Sequence, residues 1–148
     1  MPDVIQKYVT DSTGIITLSV GTDLNSKISG SSNLIATVID NFSASANWSL
    51  FAFEVNLGSI TTSAGAGFGL YIMGSLDGTL FPDPILSGAM SGVNNVGITV
   101  GTGAKRGTAI IPVPPLNVQL LFVNNLGVTT AASGHSIRYL RIADRSLA

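Results

Sequence analysis

The sequence predicts an all-β protein, two antiparallel sheets packed face to face as a sandwich. Three observations carry this expectation. The helix formers Glu, Lys, Gln and Arg are scarce, while Ile, Val, Thr, Gly, Ser and Asn are abundant, a balance that suits strands joined by turns. No 11-residue window shows capped, 3.6-residue apolar spacing. Candidate strands recur at short intervals with turn residues between them.

The first candidate strand covers residues 15–20, after the turn-like Asp11-Ser12-Thr13-Gly14. The second covers 33–40, with Ile35 and Ile39 on one side and Leu34, Ala36 and Val38 on the other. The third, 48–57, is the clearest. Phe51, Phe53, Val55 and Leu57 alternate onto one face, and Trp48, Leu50, Ala52, Glu54 and Asn56 onto the other. Residues 68–75 follow, closed by the Asp77-Gly78 turn. Weaker strand signals lie at 87–90 and 96–100. A stronger one at 108–113 ends in Pro112-Val113-Pro114-Pro115, and prolines belong at a strand end or an edge. Residues 117–125 and 136–144 read as a hairpin across the loop 126–134. The total is about seven or eight strands. Positions 1–14 are expected to be an N-terminal arm and 15–148 a single β-sandwich domain. The Gly/Ser/Thr-rich stretches 59–69 and 87–107 are expected to be long loops or contact segments.

Composition narrows the function classes. The chain has 148 residues, seven Lys+Arg, eight Asp+Glu, one His and no Cys. A disulfide framework, a thiolate nucleophile and Cys-based zinc sites are thereby excluded. A net charge of −1 without a basic block argues against a nucleic-acid partner. No apolar run approaches the roughly 20 residues of a membrane span, and no signal peptide is visible at Met1-Pro2-Asp3-Val4. Only 10% of residues are charged, yet 45% are hydrophobic; an average soluble domain carries about 25% charged residues. Such a surface is a poor colloid by itself. It suits a chain whose exterior is covered by other subunits, and several strands that are apolar on both faces point the same way.

No catalytic motif survives inspection. His135, the lone histidine, lies beside Ser133 and Ser136, with Asp144 further on, but neighbours in a loop do not make a triad. Asp40, Glu54, Asp77 and Asp83 are scattered acids, more simply turn and surface residues than a hydrolytic pair or a calcium loop. The stretch 97–107 lacks the Gly-Lys-Ser/Thr of a phosphate loop, because Ala104 interrupts it. No cofactor is expected. Trp48, Tyr71 and Tyr139 could form an aromatic sugar platform, although core or interface roles are commoner for such residues. On a strand, Arg141 and Arg145 share a side with Tyr139, and Arg138 points the other way with Leu140. The residues expected at an interface are Trp48, Leu50, Tyr139, Arg141 and Arg145, together with the arm from Pro2 to Asp11.

Two stretches also resemble a known group. Leu70-Tyr71-Ile72-Met73-Gly74-Ser75-Leu76-Asp77-Gly78-Thr79-Leu80-Phe81-Pro82-Asp83 is similar to a strand followed by S-x-D-G-x-x-F/Y-x-D in small virion proteins of tailed bacteriophages. The segment from Pro114 to Gly127, followed by Ala131 to Tyr139, resembles their closing strand, N-x-x-G, alanine/serine loop and strand. The resemblance implies a jelly roll or related sandwich with no catalytic residues. It also implies a structural role on the virion: a capsid decoration (cement) protein, or a head or tail fitting. The expected partners are the major capsid protein or another virion protein and further copies of the chain, with a trimer favoured. The expected location is the outer surface of the head. A tail, collar or baseplate component and a carbohydrate-binding receptor module are the alternatives.

Overall fold

The structure is a computed structural model that describes residues 5–42, 48–83 and 88–147; for 5–9 and 144–147 only the backbone is described. Among these residues are ten strands and no helix: β1 (Ile5–Thr10), β2 (Ile16–Leu18), β3 (Ser32–Leu34), β4 (Ile39–Asp40), β5 (Leu50–Thr62), β6 (Gly67–Ser75), β7 (Ser91–Gly97), β8 (Gly101–Pro112), β9 (Asn117–Asn125) and β10 (Ser136–Leu147). They form two antiparallel sheets packed as a sandwich.

The first sheet runs β1-β10-β5-β8, and β2 also pairs with β10. β1 takes residues 142–147 of β10 and β2 takes 137–139, so the two short strands share one edge in succession. The second sheet runs β3-β9-β6-β7, with β4 continuing the β3 edge along β9. Counting each interrupted edge as one strand, the chain pairs first with last, second with seventh, third with sixth and fourth with fifth.

The core follows from alternation. Phe51, Phe53, Val55 and Leu57 of β5 face inward and are fully buried. Tyr139 of β10 stacks on Phe51 with ring centroids 5.3 Å apart, and Phe68 of β6 stacks on Phe122 of β9 at 5.4 Å. A bulge in β5 sets Gly58 and Ser59 against the single residue Ala104 of β8. The inserted residue changes the parity of the strand, and this turns Ile60 and Thr62 inward.

Several expectations are corrected. The segment expected as an arm contributes β1, an edge strand held by β10. Residues 33–40 form two short strands rather than one, although Ile35 and Ile39 are buried on one side as expected. Residues 117–125 and 136–147 are strands, but not a hairpin: β9 lies in the second sheet and β10 in the first. The connection between them is longer than the two to five residues that favour a hairpin, and it crosses from one sheet to the other.

The glycine-rich stretches are largely strand rather than loop. β5 continues to Thr62, β6 begins at Gly67, and β7 and β8 take up most of 91–112. Several of the glycines, Gly69, Gly92 and Gly107 among them, sit where a neighbouring side chain occupies the space a Cβ would need. A Cβ on Gly92 would lie 2.3 Å from the Tyr71 ring, and one on Gly107 2.6 Å from Val96 and 2.8 Å from Phe68. An aromatic ring laid over a strand glycine buries the exposed backbone, so composition that reads as flexible here marks close packing.

Candidate interface on the outer face of the first sheet

The two outer faces are finished differently. On the second sheet, Met73, Leu121 and Val123 point away from the sandwich core and are nevertheless buried, under Leu34, Tyr71, Phe81 and Ala89. Phe81 and Ala89 belong to the β6–β7 connection, so the chain covers this face itself. The first sheet has no such cover among the described residues.

Register assembles that open face in four rows. Ser136, Asn56 and Arg106 lie side by side on β10, β5 and β8; the next row is Thr17, Arg138, Glu54 and Thr108. Then come Leu140, Ala52 and Ile110, and last Ile142, Leu50 and Pro112. One half of the face is therefore polar and the other apolar. The turn after β1 places Ile15 beside the third row, where it helps line a shallow groove of about 280 Å³ with Ala52, Ile110 and Leu140. Ile15 is 65% exposed and Ile110 61%. Covering each would contribute about 1–2 kcal/mol.

The polar half is a fixed network. Arg138 donates to Glu54 Oε1 through Nε at 2.9 Å and again through its terminal nitrogen. Asn56 donates to the same oxygen at 3.1 Å, and Arg106 Nε donates to Asn56 Oδ1 at 3.0 Å and lies 3.7 Å from Glu54 Oε2. The Arg138 hydrogen bonds, then that of Asn56, hold the Glu54 carboxyl below the usual carboxylate range. Two guanidinium groups against one carboxylate leave the network with an excess positive charge. These pairs are partly exposed, so they serve orientation more than stability.

The residues expected at an interface fare unevenly. Leu50 lies half-buried on the open face. Tyr139 is only 7% exposed and sits in the core between Phe51 and Phe53. Trp48 is buried as well: it precedes β5, so strand alternation does not carry it to the outer face. Neither ring is available to a partner or to a sugar in this arrangement.

Arg141 points inward on the same side as Tyr139. It pairs with Asp11 and places its guanidinium 5.7 Å from the centre of the Trp48 ring. Asp11 accepts the Thr13 N–H at 3.0 Å, and its own N–H donates to the Arg141 carbonyl at 3.0 Å. The Thr13 N–H and then the pairing with Arg141 lower the Asp11 carboxyl from its ordinary value. This cluster latches the end of β1 to β10; it is a structural clasp, not a docking site. Pro2 and the side chain of Arg145 lie outside the described residues.

His135 is also committed elsewhere. Its Nδ1 accepts the Gly58 N–H at 3.2 Å, and its Nε2 lies 2.9 Å from the Ala131 carbonyl. Ser136 Oγ accepts from Asn56 at 3.3 Å, and the side chain of Asp144 lies outside the described residues. No Ser–His contact is made among the described residues. Asp77 accepts from the N–H groups of Leu80 and Thr79 and from the Ser75 hydroxyl, which hold it well below the usual carboxylate range. It pins the turn after β6, as its place in an Asp-Gly pair suggests. The acids of the described residues form no cluster suited to a metal ion.

Sequence reasoning missed Ile15, Ile110 and the joining of Glu54 to Arg138 and Arg106. The parity of 106, 108, 110 and 112 along one strand was the available signal, and it yields a face only once β8 is placed beside β5. No protein-family model and no curated protein matches this chain.

Proposed function

We propose that this chain is a structural subunit of a tailed-phage virion, acting as a capsid decoration or cement protein on the outer surface of the head. Its role is mechanical: subunits bind the assembled shell across junctions between capsid proteins, associate as trimers, and stabilise what they bind by linkage. The observation that carries the reading is the open, half-apolar outer face of the first sheet, in a chain where only 10% of residues are charged. Large uncovered apolar faces belong to interaction surfaces.

The jelly-roll reading is supported by the pairing scheme. A chain that pairs first strand with last, second with seventh, third with sixth and fourth with fifth is a folded ribbon rolled into two sheets, and jelly rolls are frequent in viral shell proteins. The reading assigns the chain no reaction and no cofactor.

The test is direct. Purified protein is added to shells of the source particle, and shell melting is followed with wild type and with Ile15→Ser/Ile110→Ser. The reading expects wild type to bind the shell and raise its melting temperature, with the double variant folding normally but binding at least tenfold more weakly. A protein that stays monomeric at high concentration and leaves shell melting unchanged would overturn it.

A further inference from the structure

We infer that His135 is a pH-sensitive latch that ties three backbone segments together at one end of the sandwich. The inference is independent of the virion reading and starts from the ladder between β5 and β10. In that ladder Asn56 pairs with Ser136, so the next hydrogen-bonding partner of Gly58 would be Gly134. Gly134 instead has φ +84°, which turns the chain out of the strand. The Gly58 N–H is left beyond the end of β10, and His135 Nδ1 accepts it at 3.2 Å in place of a carbonyl.

The second ring nitrogen fixes the tautomer. Nε2 faces the Ala131 carbonyl at 2.9 Å, and a carbonyl only accepts, so Nε2 carries the proton and Nδ1 is bare. The Ala131 carbonyl also accepts the Ser26 N–H at 2.9 Å. One neutral imidazole thus joins the β5 bulge to the β9–β10 connection, whose Ala131 carbonyl in turn holds the β2–β3 connection. Packing is tight here: a Cβ on Gly58 would lie 2.1 Å from the Ser133 carbonyl oxygen.

Protonation breaks this arrangement. The imidazolium carries N–H on both nitrogens, so Nδ1–H would face Gly58 N–H, donor against donor. The bond to Gly58 exists only with the neutral ring and is lost as pH falls. The ionisable groups on the surrounding elements are Asp23 and Lys27 on the β2–β3 connection, Glu54 on β5, Lys105 and Arg106 on β8, and Arg138, Tyr139, Arg141, Asp144 and Arg145 on β10. The Asp23 carboxylate accepts the Ala36 N–H, and Glu54 is taken by Arg138 and Arg106. Among the described residues no carboxylate pairs with the imidazole.

Because His135 is the only histidine, its titration can be followed without ambiguity. The experiment is ¹⁵N NMR of the full chain from pH 8 to pH 5, recording the ring nitrogens, the Gly58 amide and amide-exchange protection in residues 24–31 and 126–135. The inference expects a protonated Nε2 and bare Nδ1 at pH 8. It also expects a Gly58 amide that follows the protonation of the ring, and protection factors in both connections that fall at least tenfold once the ring is protonated. In His135→Asn the side-chain oxygen can accept from Gly58 without titrating, and the protection factors should then be flat across this range. A ring bearing its proton on Nδ1, a Gly58 amide indifferent to ring titration, or the same loss of protection in His135→Asn would each overturn it. Should the variant not fold, the wild-type tautomer and the Gly58 titration decide alone.

Discussion

The two sheets present their outer faces to different ends. On the second sheet, Met73, Leu121 and Val123 are sealed under the chain's own β6–β7 connection, and Tyr71 lies over Gly69 and Gly92. On the first, Ala52, Leu140, Ile110 and Ile15 line an open groove beside an arginine-rich polar network. Both faces carry apolar residues in sequence. What separates them is whether a connection long enough to fold back lies at the right edge. A hydrophobic outer face is thus ambiguous between a second core and a contact surface until its cover is located.

Variants can sharpen this contrast. The largest effect is expected from Leu121→Ala, which opens a cavity beneath the covering segment and should cost about 2–5 kcal/mol in urea unfolding. A cost near that of an exposed site would mean the cover is loose and the faces are alike. Gly92→Ala should cost about 1–3 kcal/mol, since its Cβ would meet Tyr71 at 2.3 Å and the Leu70 carbonyl at 2.6 Å. Unchanged thermal stability in that variant would show that the ring does not lie on the glycine.

Acid titration probes the other sheet. Asp11 and Glu54 both have carboxyls lowered in the folded chain. Their contribution is therefore present above the carboxylate range of the unfolded chain, about pH 4. It is lost as pH falls through the lower folded values. Asp11→Asn should remove part of the stability loss that sets in below about pH 4, measured by urea midpoints at each pH, with Glu54 and Asp77 contributing the remainder. The smallest effect on stability is expected at the open groove: Ile110→Ser should stay within about 0.5 kcal/mol of wild type, while light scattering reports weaker self-association. A large destabilisation there would mean that the face is covered within the single chain after all.

Much of the strand content was legible locally. Alternation at Phe51, Phe53, Val55 and Leu57 identified a buried face because side-chain direction in a strand has a period of two. The turn at Asp77-Gly78 was legible because its residues carry their own hydrogen-bonding preferences. Trp48 and Tyr139 were misplaced for a physical reason: alternation tells which residues share a side, not which side is covered. Arg141 was correctly grouped with Tyr139, yet that side faces inward, where Asp11 and Trp48 receive it. Gly69, Gly92 and Gly107 read as loop because their justification lies in the rings of Tyr71 and Phe68.

Composition and local periodicity determined that this chain folds as β-structure, which residues alternate, and that its exterior is short of charge. Those properties depend on backbone propensity and on neighbours within a few positions. Only the tertiary structure decided that β9 and β10 part into different sheets, that one apolar face is sealed and the other open, and that His135 completes a ladder begun on β5. Each of these depends on segments tens of residues apart meeting in a definite register, and no local pattern encodes which distant strand will lie alongside.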